Sequence, residues 1–147
     1  MALTLERYVI ESTFGYFRGC GQGRNECIVY WTGPRGIPGV VDGVVLPSHH
    51  AGTDWYETDP AWITGFFLTL RQDGRTVRAQ AHTHPKTAGH SPTDDRYPLV
   101  SKLGFCSLVV PRYGTGLVGL DDAYLTVIAS DGAWVERNTH TEIVEIA

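Results

Sequence analysis

The feature that most constrains the fold is residues 76–84, a segment in which small or apolar side chains alternate with polar ones and which Pro85 follows. Small and apolar residues occupy every second position, and the positions between them are polar and end in His82 and His84. Residues i and i+2 of a β-strand project from the same face, so both imidazoles would point to one place. The segment therefore predicts a strand that stops at the proline, beside two convergent histidines.

A candidate third metal ligand, Asp94, follows in the next loop. Two neutral imidazoles and one carboxylate leave the fourth tetrahedral position to water, which is the pattern of a catalytic zinc site. Two simpler interpretations compete with it. An H-x-H pair on a strand is often only polar surface, and the sequence Ser-Pro-Thr-Asp from Ser91 is also a good helix start with Ser91 as its cap. Capping and metal binding are compatible, because a helix start would hold Asp94 rigidly towards the histidines.

Length and charge limit the kind of protein that could carry such a site. The chain has 147 residues, which fits a single domain over residues 1–147 with one hydrophobic core. Its 12 Lys and Arg residues stand against 16 Asp and Glu residues, a net charge of −4. This balance argues against nucleic acid or an anionic membrane as the main partner, although a local basic patch remains open.

The cysteines and the chain ends bear on the compartment. The three cysteines, Cys20, Cys27 and Cys106, are an odd number without a C-x-x-C pair. We therefore expect neither a disulfide framework nor an all-cysteine zinc site, and a reducing compartment fits better. The N-terminus does not resemble a secretory signal, and the longest apolar stretch, residues 61–70, is too short to span a bilayer. The sequence thus predicts a soluble, cytoplasmic protein.

Helical and strand-like patterns alternate along the chain. Apolar residues spaced three and four apart predict a helix over residues 5–17, although its β-branched content leaves a strand open. Asp59 and Pro60 begin a second helix, which Gly74 ends. Apolar runs predict strands over residues 27–31, 40–46 with a break at Asp42 and Gly43, 105–110, 123–129, 133–137 and 143–146. This order indicates an α/β fold with a single mixed central β-sheet flanked by helices.

The motifs together resemble those of the JAMM metalloproteases, also called JAB or MPN-plus domains. That family combines a distant Glu, an H-[ST]-H-P motif and an S-x-x-D motif; here HTHP begins at His82 and SPTD at Ser91. Upstream, Glu26 opens an apolar strand and Gly33 follows it at the family's spacing. The order of elements agrees along nearly the whole chain. The resemblance therefore implies the JAB/MPN fold, which is cytidine deaminase-like.

Two departures from the family pattern bear on the site. The loop from His84 to Ser91 is one residue shorter than usual, so Asp95 lies at the common distance from the second histidine. Keeping S-x-x-D intact favours Asp94 as the ligand, with Asp95 as its rival. Val29 stands where the family often has glycine, a change that we interpret as strand packing.

Carried over residue by residue, the resemblance implies that His82, His84 and Asp94 bind one Zn2+ ion, with a bound water as nucleophile. Glu26 would act as general base towards that water and later return the proton to the leaving amine. Ser91 would donate a hydrogen bond to the developing oxyanion, a contribution of about 3 kcal/mol. Without the downstream motifs, Glu26 would be interpreted as an ordinary exposed acid.

The family hydrolyses isopeptide or peptide bonds after the C-terminal tail of ubiquitin or a ubiquitin-like protein, commonly bound as an added strand. The compact chain is most similar to prokaryotic stand-alone members, some of which act beside bacterial ubiquitin-like conjugation enzymes. The resemblance thus implies a zinc-dependent isopeptidase or peptidase, with a ubiquitin-like protein or its conjugate as partner and without a nucleic acid or membrane partner.

Three other functions remain open. Other prokaryotic members release small sulfur-carrier proteins from their adducts. Catalytically silent MPN domains serve as assembly scaffolds, although these generally lack the ligands that this chain has. A cupin-like metal-binding barrel also uses H-x-H, but it expects a Glu four or five residues beyond the second histidine, where Ala88 and Gly89 stand.

The residues outside the motifs have weaker interpretations. Cys27 directly follows Glu26 and is expected as buried packing on an apolar strand. Trp55 and Tyr56 could be core anchors or part of a substrate groove. The remaining histidines are expected at the surface without metal-binding partners: His49, His50, His90 and His140. Of these, His90 lies next to Ser91 and could also ligate a metal.

Overall fold

The computed structural model describes residues 2–88 and 103–146. In chain order its elements are β1 (Leu3–Glu6), α1 (Arg7–Gly21), β2 (Ile28–Pro34), β3 (Val40–Val41), β4 (Gly43–Val45), β5 (His49–Ala51), β6 (Tyr56–Thr58), α2 (Pro60–Gln72), β7 (Arg75–Thr83), β8 (Cys106–Val110), a short 3-10 turn (Arg112–Gly114), β9 (Tyr124–Ile128), β10 (Trp134–Arg137), α3 (Thr139–Glu142) and β11 (Ile143–Ile146). The predicted helix start at Ser91 lies outside the described residues.

Six strands form a mixed sheet in the order β10, β9, β8, β7, β2, β4. β7 and β8 run parallel, and the other neighbouring pairs run antiparallel. Both faces of this sheet carry a hydrophobic cluster: residues of α1 pack on one face, and residues of α2 pack on the other. The predicted α/β fold with a mixed central sheet flanked by helices is therefore confirmed.

The predicted break in the apolar run 40–46 divides that run between two sheets. β3 joins a separate parallel sheet in the order β11, β1, β3, whereas β4 pairs with β2 at the edge of the central sheet. Asp42 lies between them, where its amide donates to the Thr32 carbonyl over 3.0 Å and its carboxylate pairs with Arg75. Gly43 follows because a Cβ at that position would collide with the Thr32 hydroxyl.

The first residues of the chain differ from the predicted helix. Residues Leu3–Glu6 form β1, which pairs in parallel with β11 on one side and with β3 on the other. A strand forms at this position because partners remote in sequence satisfy its backbone groups. The helical spacing was right for α1, whose buried side is Val9, Ile10, Thr13, Phe14 and Phe17.

A buried hydrogen bond fixes α1 on the sheet. The indole Nε1 of Trp31 donates to the hydroxyl of Thr13 over 2.8 Å, and that hydroxyl donates to the Val9 carbonyl, also over 2.8 Å. The helix ends at Gln22, which caps it in the left-handed conformation with φ of 53°. Its last turn, which contains Cys20, is thereby brought to the start of β2.

α2 begins as predicted and covers the opposite face. The Asp59 carboxylate accepts a hydrogen bond from the Ala61 amide over 3.0 Å. Trp62 and Phe66 stack on Tyr30 of β2, with ring centroids 6.4 and 5.7 Å away. Burial raises the pKa of Tyr30 to about 12, because a phenolate is disfavoured away from water. None of the helices in the described part of the chain is long and apolar enough to cross a membrane.

Candidate active site

The pairing of β2 with β7 brings the upstream acid to the histidine motif. The antiparallel register sets Ile28 opposite His82. Beyond the last bridge, the Thr83 amide donates to the Cys27 carbonyl over 3.0 Å, and the Cys27 amide donates to the Thr83 hydroxyl over 2.9 Å. Residues opposite one another in an antiparallel pair share a face, so Glu26 lies on the same face as His82, across from the end of β7.

The two motif histidines converge as the alternation predicted. Their Nε2 atoms lie 3.2 Å apart; His82 is fully buried and His84 is half-buried. The backbone holds His84 in place, because its amide donates to the Val110 carbonyl and its carbonyl accepts from the Tyr113 amide, each over 2.9 Å. The parallel neighbour β8 therefore fixes the residue at which β7 ends.

The donor set of the two histidines fits a metal ion. Two imidazole nitrogens about 2.0 to 2.1 Å from a tetrahedral zinc ion are about 3.3 Å from each other. The separation of the Nε2 atoms of His82 and His84, 3.2 Å, agrees with this value. Neutral imidazole nitrogens are also among the preferred ligands of zinc in proteins.

Glu26 is a buried acid rather than the exposed one that its sequence context alone would suggest. Only 5% of it is accessible to solvent. Its amide donates to the Gly52 carbonyl over 2.9 Å, and Gly52 is in turn bonded to the Trp55 carbonyl through its own amide. A Cβ on Gly52 would collide with the Trp55 indole in its present position, so glycine lets this ring pack against the turn. The loop between β5 and β6 thus holds the backbone of Glu26. We call Glu26, His82 and His84 the histidine cluster.

The hairpin of β5 and β6 also supplies an aromatic neighbour to this cluster. The Tyr56 ring lies 5.2 Å from the His82 ring, centroid to centroid, at an angle of 49°. The Tyr113 hydroxyl donates to the Thr53 carbonyl over 2.7 Å and ties the loop of this hairpin to the chain beyond β8. Of the two aromatic residues that the sequence left open, Tyr56 contacts the cluster and Trp55 is half exposed.

Four residues of interest fall on the segment 89–102, outside the described residues: Ser91, Asp94, its rival Asp95, and His90. The predicted oxyanion donor and the third metal ligand therefore stay predictions. In the chain this segment lies between β7 and β8, which are parallel neighbours in the sheet.

Another group of potential ligands corrects two of the sequence-based expectations. Cys20 and Cys27 are joined by a disulfide with their Cα atoms 6.0 Å apart, although the cysteine count and spacing favoured a reducing compartment without a disulfide framework. His49, expected at the surface without partners, is half-buried with its Nε2 3.3 Å from the Cys20 Sγ. We call Cys20, Cys27 and His49 the cysteine cluster. The three residues meet only through the fold, and no motif marks them.

The other expectations about single residues agree with the structure where they fall on described residues. Cys27 is fully buried in the core on the α1 face. His50 is exposed, and His140 is an exposed residue whose Nε2 lies 3.4 Å from an Asp121 carboxylate oxygen. Cys106 is the free cysteine, and burial raises its pKa to about 12.

Comparison with known sequences gives a relative whose name indicates a class of enzyme. No family model matches the sequence. A probable metalloprotease from Sinorhizobium fredii (strain NBRC 101917 / NGR234) is 29% identical over 116 residues, which cover 76% of this chain and 72% of that protein. The relationship supports a hydrolase of the protease type.

Comparison with solved structures identifies the fold. A JAB1/MPN domain protein from Archaeoglobus fulgidus matches with a TM-score of 0.53 and 14% identity, over 97% of this chain and 98% of that chain. A protein from Desulfitobacterium hafniense matches with a TM-score of 0.69 and 19% identity, over 98% and 92% of the two chains. A protein from Salinibacter ruber matches with a TM-score of 0.62 and 15% identity, over 98% of this chain and 92% of that chain. The JAB/MPN fold that the motif resemblance implied is confirmed.

Proposed function

We propose that this chain, which has the JAB/MPN fold, is a zinc-dependent peptidase or isopeptidase that hydrolyses the bond after the C-terminal tail of a ubiquitin-like protein. The observation that carries the proposal is the convergence of His82 and His84, whose Nε2 atoms lie 3.2 Å apart across the strand pair from the buried Glu26. The probable metalloprotease among its relatives supports the hydrolase part. The ubiquitin-like substrate rests on the motif resemblance alone.

Glu26 is the proposed general base. Its carboxylate would take a proton from the attacking water and later give it to the leaving amine, so that no free hydroxide and no free amide anion has to form. The burial of Glu26 suits this role, because a carboxylate shielded from bulk water keeps the transferred proton within the site. The hydrogen bond from the Glu26 amide to the Gly52 carbonyl would keep the start of β2 fixed during the proton transfer.

The histidines are the proposed metal ligands, together with Asp94. His82 lies on β7, and His84 directly follows it with its backbone bonded to Val110 and Tyr113; such positioning favours a tight site over one built on unsupported loops. When bound, a zinc ion would lower the pKa of a water molecule and polarise the scissile carbonyl. Ser91 is the proposed donor to the oxygen that gains negative charge during the attack.

The substrate class is inferred to be a ubiquitin-like protein of a bacterial conjugation pathway, with a precursor or an isopeptide conjugate as the form that is cut. Release of small sulfur-carrier proteins from their adducts is the alternative within the same chemistry. Both substrates end in an extended tail that a sheet edge can bind as an added strand. They differ in the group that is joined to the end of the tail.

The test is cleavage of defined fusions by the zinc-loaded protein, read by mass spectrometry. Three kinds of substrate are compared: linear fusions of bacterial ubiquitin-like proteins, isopeptide conjugates of the same proteins, and sulfur-carrier adducts. We expect cleavage directly after the tail, and we expect it to stop when a zinc chelator is added. Glu26→Gln serves as the inactive control with the metal site intact.

A non-catalytic MPN scaffold predicts a different result. Carefully purified protein would then hold no stoichiometric zinc, and none of the fusions would be cut at any zinc concentration. Cleavage that persists in excess chelator would also contradict the proposal, because it would require a mechanism without the metal.

A further inference from the structure

The cysteine cluster lies on the α1 side of the sheet. Its two sulfurs and its imidazole nitrogen are all within 4.8 Å of one another. The three residues come from the last turn of α1, the residue before β2 and the first residue of β5. Cys27 is fully buried and belongs to the hydrophobic core on the α1 face, whereas Cys20 and His49 are half-buried. The proposed peptidase reaction uses none of them.

The hydrogen bonding of His49 fixes which of its nitrogens has a lone pair. Nδ1 lies 2.9 Å from the Pro47 carbonyl oxygen, which can only accept, so Nδ1 carries the hydrogen. In the neutral ring Nε2 is then unprotonated, and it lies 3.3 Å from the Cys20 sulfur. A disulfide sulfur has no hydrogen to donate to that nitrogen. A histidine whose one nitrogen donates to a backbone carbonyl is also the usual form of a histidine that binds metal through the other.

The spacing of the three groups suits a thiolate and imidazole site. Zinc binds sulfur at about 2.3 Å and nitrogen at about 2.0 to 2.1 Å, so tetrahedral ligands lie about 3.5 to 3.8 Å apart. The Cα atoms of Cys20 and Cys27 are 6.0 Å apart, close enough for both sulfurs to reach one ion once they are no longer bonded to each other. After reduction, rotation about the cysteine side-chain bonds can move the two sulfurs far enough apart to bind the same ion.

We propose that the reduced cysteine cluster is a second metal site, in which Cys20, Cys27 and His49 bind a borderline-soft divalent cation such as Zn2+. The fourth position is left to water or another small donor. The oxidised form of the same site is the disulfide. This inference is independent of the proposed peptidase function, because the two clusters share no residue.

Reduction and metal binding convert the disulfide into the metal site in two balanced steps. A phosphine reductant with one water molecule becomes a phosphine oxide, and the disulfide takes up the two electrons and two protons as two thiols. Zinc binding then releases both thiol protons and leaves two thiolates on the ion. Cys106 does not compete for the metal, because burial raises its pKa to about 12 and keeps its thiol protonated.

The experiment uses the full chain, stripped of metal, reduced with a phosphine and titrated with Co2+. Thiolate ligands give a sulfur-to-cobalt charge-transfer absorption, which nitrogen and oxygen ligands in the histidine cluster cannot give. We expect this absorption to saturate with one equivalent of cobalt at the cysteine cluster and to be absent before reduction. Displacement by Zn2+ then gives the zinc affinity.

Three variants identify the ligands. Cys20→Ser should abolish most of the absorption, His49→Ala should weaken cobalt binding by at least about tenfold, and Cys106→Ala should retain the full signal. If Cys20→Ser fails to fold, as judged by circular dichroism, His49→Ala carries the test, because the oxidised variant keeps its disulfide. The proposal is overturned if reduced wild-type protein gives no absorption, if His49→Ala binds cobalt as tightly as wild type, or if the signal follows Cys106. Loss of peptidase activity with the absorption intact would concern only the histidine cluster.

Discussion

Glu26 and Cys27 are neighbours in the sequence, yet they lead into clusters on opposite faces of the sheet. The histidine cluster takes His82 from β7 and His84 from the residue directly after it, and Glu26 lies two residues before β2, just beyond the paired residues of the two strands. The cysteine cluster takes one member from the end of a helix, one from the start of a strand and one from a short hairpin. The convergence of the two histidines therefore depends on the end of one strand, whereas the cysteine cluster depends on the packing of three elements.

The comparison teaches how far local geometry can carry a site. Two ligands at positions i and i+2 of a strand converge whatever else the chain does, because the pleat of the strand sets their direction. Three ligands from three elements converge only if every element packs correctly. We therefore expect the convergence of His82 and His84 to tolerate changes in distant packing, whereas the cysteine cluster should respond to any change that moves α1 or the β5–β6 hairpin.

The largest expected effect separates chemistry from structure. Glu26→Gln should lower the rate of cleavage by about 10² to 10⁴, the range for loss of a general base, and should leave zinc binding and thermal stability unchanged. Single-turnover cleavage of a fusion substrate and zinc content measure the two quantities. Glu136→Gln makes the same chemical change at an exposed position of β10 and is the matched control. Near-normal turnover by Glu26→Gln would remove Glu26 as the base.

The next effect concerns the ligand that completes the histidine cluster. Asp94→Ala should weaken zinc binding by more than the 10- to about 100-fold that loss of an outer-shell partner costs, whereas Asp95→Ala should retain zinc. The two variants differ only in position, so each controls for the other. Zinc affinity by competition with a chelator is the measurement. Loss of zinc in Asp95→Ala alone would assign the ligand to Asp95.

A smaller effect tests whether the disulfide of the cysteine cluster stabilises the fold by linking α1 to the residue before β2. Under oxidising conditions Cys20→Ser should lose about 2 to 3 kcal/mol of unfolding free energy, since the disulfide closes a short loop. In a phosphine reductant without metal, the variant and the wild type should unfold at nearly the same urea concentration. An equal loss under both conditions would instead indicate packing of the side chain. Under reducing conditions, added Zn2+ should stabilise the wild type more than Cys20→Ser. Such a difference would link this result to the proposed metal site.

The smallest effect compares the two faces of the sheet through pH. Burial raises the pKa of Cys106, on the α1 face, and of Tyr30, on the α2 face, to about 12 each. Both groups stay neutral in the folded chain while the unfolded chain ionises, at about pH 9 for the thiol and about pH 10 for the phenol. Their contribution to stability is therefore full below those values and is lost as the pH rises towards 12.

Cys106→Ala should accordingly remove about 1 kcal/mol of the decline in stability between pH 9 and pH 10, whereas Tyr30→Phe should change the profile only above pH 10. Urea unfolding at a series of pH values gives both profiles, and the offset at pH 7 gives the packing loss of each variant. Identical slopes for Cys106→Ala and wild type between pH 9 and 10 would contradict the burial of this thiol.

The sequence allowed the prediction of those parts of the fold that local rules determine. The alternation that ends in His84 required only the pleat of a strand, and the start of α2 required only a cap and a proline. β1 could not be predicted, because its two partners are remote in the chain and its own residues also fit a helix. The same reason applies to His49, whose neighbour Cys20 is 29 residues away in sequence.

The disulfide was missed for a different reason. An odd number of cysteines excludes complete pairing, but it does not exclude a single pair, and connectivity depends on which sulfurs the fold brings together. The burial of Glu26 was equally hidden, since the β5–β6 loop to which its amide is bonded lies about 26 residues further along the chain. The sequence thus predicted the candidate ligands of β7 and the upstream acid, and it left their surroundings undetermined.

The hydroxyl of Thr83, between the two histidines, has a further consequence. It accepts a hydrogen bond from the Cys27 amide, one residue beyond the end of the regular ladder. If β7 slipped by one residue along β2, both imidazoles would turn to the α1 face of the sheet, and Glu26 would remain on the opposite face. Valine, which has the shape of threonine without the hydroxyl, would leave the buried amide unpaired and would weaken the preference for the correct register. The residue between the two histidines thereby helps to set the face of the sheet on which both imidazoles lie.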